Sequence, residues 1–445
     1  MCDTFIIPPA LTENRRWIFA KNSDREPNEA QDFRYFPAGS RSSEEVLTSF
    51  IPVTHPRDHI GTWLSKPFHL WGAEMGINDA GLAIGNEAVF TRVPMIRKNL
   101  GLTGMDMIRL ALERCRRARE AVDQLCYYIE AYGQDACGGY YNRKFFYHNS
   151  FIVADPEEAY VLESAGRHWV FRRLSGFYAI SNRLTIGTEW DAISPQAISF
   201  AHDRGWIKKG SDFSFADAYT APLMSRLSHA AERRQSCSLA IQARAARQGL
   251  TTADAIAVLR AHPVSDGFTP SRGNMQSVCL HATGLLTPSQ TTASLVAELS
   301  TDHHIPRWAT ASAAPCLGLF KPFYAALAPV GTILDNAPGA KPDGSYWWQW
   351  EAWHRRAIRQ YREAKKAWQE MIPAIESAWM QKAAELALQN SPGAALQAFS
   401  TEAVEDSLQV LEELQERLGS PVANDGSWLY RAQWKQWNRR AGIDP

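Results

Sequence analysis

Cys2 is the residue whose position permits the most chemistry in this chain, because it directly follows Met1 in MCDTF. Loss of Met1 would put the Cys2 thiol and a free α-amine on the same carbon. The thiolate is the nucleophilic form of cysteine, and a free thiol titrates near about 8.5. An α-amine titrates at about 7.7–8.0, close to the ideal for a general base at neutral pH. On one residue, the amine can take the thiol proton directly or through a single water, so the nucleophile carries its own base. A cysteine at position 2 also suits an inert strand residue, and what decides between the two is the company it keeps. The polar run FAKNSDREP (19–27) follows closely.

Other chemistry-bearing residues make weaker patterns. His55 and His59 in HPRDH have the i,i+4 spacing of a helical zinc site, but Pro56 opposes a helix there and no Glu takes the general-base position. His303-His304 and the evenly spaced Cys115, Cys126 and Cys137 lack a fourth ligand at a familiar spacing. His281 in CLHATG reads as a core residue or as one behind a site. There is no Walker A sequence, no paired-glycine dinucleotide fingerprint and no GxSxG. No metal and no organic cofactor is expected.

The elements that position Cys2 follow from the pattern. CDTFIIP (2–8) fits a short strand, Pro8-Pro9 ends it, TEN (12–14) turns the chain, and RRWIFAKN (15–22) returns as a second strand. This hairpin sets Cys2 near Lys21-Asn22, and NSDREPNE (22–29) reads as the loop that leaves it. WGAEMGINDAGLAIGNEAVF (71–90) reads as two strands joined around Asn78–Gly81. Residues 103–132 have helical spacing. Residues 150–184 form a three-strand meander, 213–261 are mostly helical, and MQSVCLHAT (275–283) and QTTASLVAEL (290–299) are strand-like. WWQWEAWHRRAIRQYREAKKAWQEM (347–371) is one long amphipathic helix that Pro373 should kink or end. Helices follow over 376–389, 393–418 and 427–440.

With 445 residues the chain can bury a large core or form two to three domains. Lys plus Arg and Asp plus Glu both number 47, so a net charge of zero gives no reason to expect nucleic acid or an anionic membrane as a partner. No run of about 18 apolar residues would cross a bilayer, and no signal peptide is read at the N-terminus. Seven scattered cysteines without a CxxC pair point to free thiols in a reducing compartment, so a cytoplasmic protein is expected. Strands, a helical block, more strands and a helical tail indicate an α+β core with an appended helical region, with a soft boundary near 340–346.

CDTFIIPP followed by FAKNSDREPNEAQ resembles the start of the secernin family, in the dipeptidase branch of the N-terminal-nucleophile hydrolases. WGAEMGINDAGLAIGNEAVFTR, GLTGMDMIRLALERCRRAREAVDQL, YHNSFIVADPEEAYVLESAGR, YAISNRLTIGTEWD, SVCLHATG, TTASLV, FKPFY and YWWQWEAWHR are similar to that family in the same order, over about residues 2–360. The resemblance implies a four-layer αββα sandwich of two antiparallel sheets, and the boundary read near 340–346 would divide the chain into a catalytic domain over 2–345 and a C-terminal helical region packed on the core over 346–445. The resemblance also implies Cys2 as the nucleophile at the end of a central strand. More distantly, the first 24 residues are similar to the bile-salt hydrolases and penicillin V acylases. These carry Arg-Asn-x-Asp on the second strand, where this chain has Lys21, Asn22, Ser23 and Asp24. Asp24 would orient the Cys2 amine. Lys21 keeps the positive charge but loses the planar fork of Arg. Asn86 in IGNEAV and Asn182 in ISNRL fall where the superfamily has asparagines that contact the oxyanion or the amine. Arg183 could meet a substrate carboxylate, and Arg272 in TPSRGNMQ fits two readings equally, a substrate-binding counterpart of a further arginine of the acylases or a solvated loop residue.

The resemblance implies a cysteine-type dipeptidase acting on a small peptide or amide. Two other functions fit the same residues. One is an acylamidase of non-peptide N-acyl amides. The other is a non-catalytic secernin-like protein whose Trp-rich segment 346–370 is an interaction surface instead of packing on the core. A homo-oligomer is compatible with the sequence, which does not specify one.

Overall fold

The structure is a computed structural model that describes residues 2–207, 210–222, 228–246, 249–263, 267–419 and 426–443. Two large sheets form the centre of the fold. Their strands are β1 (Cys2–Ile7), β2 (Ile18–Arg25), β3 (Gln31–Phe36), β4 (Thr62–Pro67), β5 (Met75–Asn78), β6 (Ala83–Val89) and β7 (His148–Ala154). They continue with β8 (Ala159–Ala165), β9 (His168–Leu174), β10 (Tyr178–Ile180), β11 (Ala192–Ile193), β12 (Gln290–Glu298), β13 (Arg307–Ala309) and β14 (Lys321–Phe323). The first sheet runs β10-β1-β2-β12-β13-β14 and the second β11-β9-β8-β7-β6-β5-β4-β3. All strand pairs in both are antiparallel.

β1 and β2 are buried along their whole length, which is why CDTFII lacks the alternation of a half-exposed strand. One face meets the second sheet. Gly85 of β6 marks how closely, since a Cβ there would sit 2.7 Å from Lys21 Cδ and 2.9 Å from Phe19 Cζ. On the far side of the second sheet lie α1 (Gly104–Arg114) and α2 (Ala118–Ala131), where Leu110, Leu112, Val122 and Leu125 pack with Leu64, Ile84, Phe151 and Val153. On the far side of the first sheet lie α5 (Ala230–Ala245) and α6 (Thr252–Leu259), after two short helices, α3 (Ala197–Asp203) and α4 (Phe215–Tyr219). The layer order is therefore α-β-β-α, as expected for the sandwich.

Four more helices complete the described chain: α7 (Tyr346–Ala357), α8 (Tyr361–Leu388), α9 (Gly393–Leu418) and α10 (Trp428–Ala441). The tryptophans of α7 pack inward. Trp350 and Trp353 join the main core with Phe320 and Phe323, and the Trp347 indole N–H donates to the carbonyl of Thr292 at 2.9 Å. No helix among the described residues is long and apolar enough to cross a membrane.

The structure departs from the sequence expectations at four places. The polar run after Lys21 stays in the strand to Arg25, because its side chains find buried partners. Asn22 donates to the carbonyls of Leu259 and Val278, and Gln31 donates to Ser23. Residues 275–283 form no strand, and Cys279 and His281 instead turn into a side-chain cluster. β10, after the meander, leaves the second sheet to pair with β1. The helix expected over 347–371 breaks at 358–360 instead of at Pro373, which lies inside α8. Pro373 sits on an exposed face, where solvent can serve the Gln369 carbonyl that proline leaves without its helical partner.

Candidate active site

Cys2 opens β1 opposite Ser23 of β2, so the next residue of β2 reaches its sulfur. The Asp24 backbone N–H donates to Cys2 Sγ at 3.3 Å. The Cys2 nitrogen is held separately, donating to Asn182 Oδ1 at 3.0 Å. Asn182 follows β10, the other neighbour of β1, and its Nδ2 donates to the Ala88 carbonyl at 2.8 Å. Arg233 Nη2 also donates to Asn182 Oδ1, at 2.7 Å. With donors on both sides, the amide must turn its oxygen toward Cys2.

Asp24 is buried, and its Oδ1 accepts from the Thr291 hydroxyl at 2.7 Å. Thr291 lies beside a register shift between β2 and β12. Such bulges re-aim side chains next to functional residues. Burial raises the Asp24 carboxyl to about 6, with Thr291 working the other way.

Lys21 is fully buried, and its ammonium donates to the Asn86 carbonyl at 2.7 Å and to Glu87 Oε1 at 3.2 Å. Glu87 also accepts from the Thr4 hydroxyl at 2.5 Å. Burial would lower the Lys21 pKa, but Cys2, Glu87 and Glu74 outweigh it and hold the group above its ordinary value. Burial raises Glu87 to about 8 against the pull of Lys21. For Cys2, burial is the largest influence and pushes the thiol above its ordinary range, although Lys21 favours the thiolate. Burial thus works against the thiolate, and attack calls for a base beside the sulfur.

Besides Glu87 and Thr291, three groups at this site escaped the sequence reading. Glu74 Oε2 lies 3.7 Å from Cys2 Sγ, and its other oxygen pairs with Arg25. Arg25 also donates to Glu29 at 2.6 Å and to the Gly138 carbonyl. Arg233 of α5 grips both oxygens of Asp3 through Nε, at 3.1 and 2.9 Å, and also donates to the carbonyls of Ser228 and Met275. The signal for Glu74 was a charged residue within apolar strand sequence, whereas Arg25 sits in a polar run that reads as a loop. Arg233 lies in a helix rich in Arg, where nothing singles it out.

Of the residues read from sequence, Cys2, Lys21, Asp24 and Asn182 come together. The Asn86 side chain does not join them. Gly85 and Glu87 face the first sheet, so strand alternation turns Asn86 toward α1. There its Nδ2 donates to Asn149 Oδ1 at 2.8 Å, and only its backbone carbonyl reaches Lys21. Arg183 is exposed and lines a cleft with Thr185, Asp217 and Arg234. Arg272 is also exposed, in a cleft with Thr269, Arg362 and Ser427. The buried arginine at Asn182 is Arg233. His55 is held by the carbonyls of Pro56 and Leu110, so HPRDH gathers no metal ligands.

Residues 73–235 match the model of peptidase family C69, in line with the secernin-type resemblance. The chain is similar to solved structures over about two-thirds of its length. Penicillin V acylase from Agrobacterium tumefaciens aligns at 15% identity over 69% of this chain and 82% of that one, with a TM-score of 0.40. A C2A mutant of conjugated bile acid hydrolase from Clostridium perfringens aligns at 9% identity over 69% and 88%, also at 0.40. The Caenorhabditis elegans ortholog of N-acylethanolamine-hydrolyzing acid amidase aligns at 12% identity over 67% and 92%, at 0.35.

Proposed function

We propose that this chain, with its match to the C69 peptidases, is a cysteine amidohydrolase that cleaves small peptides and uses Cys2 as nucleophile once Met1 is removed. The observation that carries this reading is the separate handling of the two Cys2 heteroatoms. Asn182 Oδ1 accepts from the nitrogen at 3.0 Å and the Asp24 amide donates to the sulfur at 3.3 Å. Such an arrangement orients an amine and steadies a thiolate on one residue.

The Cys2 amine takes the Sγ proton. The thiolate, favoured by the Asp24 N–H and the Lys21 charge, attacks the amide carbonyl carbon. Asn182 Oδ1 and the Asp24 carboxylate favour the resulting ammonium. The ammonium returns its proton to the leaving amine as the C–N bond breaks, which leaves a thioester on Sγ. Water then attacks the thioester, gives a proton back through the amine, and releases the acid and the thiol. Tetrahedral intermediates need preorganised donors for the oxyanion. Asn182 Nδ2 keeps a second N–H beyond the one given to Ala88, and that N–H is the proposed donor. Asn86 faces the helix layer and takes no part through its side chain.

The test compares the purified protein with Cys2→Ala on a panel of dipeptides and N-acyl amides. The expected result is dipeptide turnover by the parent protein and background rates for the variant. Turnover of N-acyl amides alone would move the substrate class and leave the nucleophile in place. Undiminished hydrolysis by Cys2→Ala would overturn the mechanism. No turnover of either class, with a free Cys2 that resists electrophilic labelling, would favour the non-catalytic alternative.

A further inference from the structure

Outside the Cys2 site, four soft or imidazole ligands converge on one point. His262 follows α6, Cys279 and His281 flank Leu280, and Cys316 lies in the segment between β13 and β14. Their ligand atoms all lie within 4.8 Å of one another, with three of the residues buried and His262 half-buried. His281 Nε2 stands 3.3 Å from His262 Nε2, 3.6 Å from Cys279 Sγ and 3.3 Å from Cys316 Sγ. One imidazole nitrogen carries at most one proton, so hydrogen bonding cannot satisfy all three contacts. A cation at their centre can.

The distances suit such a cation. With Zn–N of about 2.0–2.1 Å and Zn–S of about 2.3 Å, tetrahedral edges come to about 3.3 Å between nitrogens and about 3.6 Å between nitrogen and sulfur. The separations at His281 fall at or near these values. The donor set is also neutral in sum, since a divalent cation and two thiolates cancel, as a buried site requires. Around it, the Tyr361 hydroxyl donates to Cys316 Sγ at 3.8 Å, the kind of outer contact that orients a thiolate ligand. The other candidate cluster, Asp302-His303-His304, is largely exposed, and His304 already bonds Asp302 and the Ser391 carbonyl.

We propose that His262, Cys279, His281 and Cys316 form a closed Cys2His2 site for a zinc-class divalent cation. Binding displaces the two thiol protons to solvent and forms two metal–sulfur and two metal–nitrogen bonds. Four protein ligands leave no open position, so the site is structural. It staples three segments that share no strand pairing. One of them leads directly to the nucleophile's support. The Leu280 N–H, between two ligands, donates to Thr291 Oγ1 at 3.0 Å, and Thr291 Oγ1 donates to Asp24. Spacings of 17, 2 and 35 residues along the chain match no familiar zinc motif, which is why the sequence did not reveal the site.

The experiment measures metal in the full chain, purified without a metal-affinity tag or chelator, and then records the visible spectrum after exchange with Co2+. One zinc per chain is expected, with a cobalt spectrum of tetrahedral type that carries thiolate-to-metal charge transfer. Cys279→Ser and Cys316→Ser should lose both signals, and the buried control Cys126→Ser should keep them. His262→Gln removes the half-buried ligand with the least strain on folding, and should weaken cobalt binding if the serine variants do not fold. The proposal is overturned by a parent protein that takes up no stoichiometric zinc or cobalt, by serine variants that bind as the parent does, or by a Cys279–Cys316 disulfide in the non-reduced peptide map.

Discussion

Replacing Arg233 tests how the nucleophile is held, because this side chain joins β1, the Asn182 segment and the loop at Met275. Its Nε contacts both Asp3 oxygens at 3.1 and 2.9 Å, with the two side chains 0% and 1% exposed. Arg233→Met would leave the Asp3 carboxylate buried without its cation. Breaking a buried pair in this way costs about 3–5 kcal/mol. It also strips donors from Asn182 Oδ1 and from the Ser228 and Met275 carbonyls. Arg233→Lys should recover little, since one ammonium cannot reproduce the planar fork across four acceptors. Asp3→Asn combined with Arg233→Met should be less destabilised than the two single losses summed, with a coupling of about 2 kcal/mol or more. Chemical-denaturation midpoints of the four proteins give the cycle. The folded fraction of Arg233→Met should also lose kcat, because Asn182 is freed to turn. A loss below about 1 kcal/mol, or strict additivity, would show that the pair is not the buried, coupled unit described and would refute the reasoning.

The Asp24 carboxyl, raised to about 6 by burial, should give hydrolysis an acid limb near that pH, with activity rising as the carboxylate forms. Thr291→Val removes a hydrogen bond that favours the carboxylate, so the limb should move to higher pH. A pH–rate profile of kcat/KM reads both. Folding shows the opposite sign. A native pKa of about 6 against 3.8 unfolded means that the native state binds more protons in that window, so Asp24 weakens stability as pH rises through it. Asp24→Asn should therefore gain up to about 3 kcal/mol above pH 6 and nothing below about pH 4, as denaturation at the two pH values would show. Gly85→Ala would push a Cβ to 2.7 Å from Lys21 Cδ, between the sheets. It should cost about 1–3 kcal/mol by overpacking and slow turnover by displacing Lys21. A thermally unchanged variant would count against that close approach.

The neighbourhood of Cys2, Lys21 and Asn22 was legible because a hairpin makes it local, whereas Asp24 and Asn182 entered through the family resemblance. Cys2 and Asp24 are brought together by a hairpin whose turn the sequence marks, and Asn182 by the strand that pairs with β1. The orientation of Asn86 was not legible. Its strand is buried on both faces, so alternation has no polar side to give the phase. Arg233 and Thr291 belong to distant segments that only tertiary packing brings to β1 and β2. NSDR was misread as a loop because polar residues usually mark one, and here their partners come from elsewhere in the chain. The same limit hid His262, Cys279, His281 and Cys316, which are spread over 55 positions.

The nucleophile itself is tested most directly by the mass of the N-terminal peptide, taken from protein quenched during turnover of a dipeptide or an activated amide. The expected result is a peptide that begins at Cys2, lacks Met1 and carries the acyl group on its sulfur. A peptide that retains Met1, or an acyl group found on another residue while hydrolysis proceeds, would contradict it.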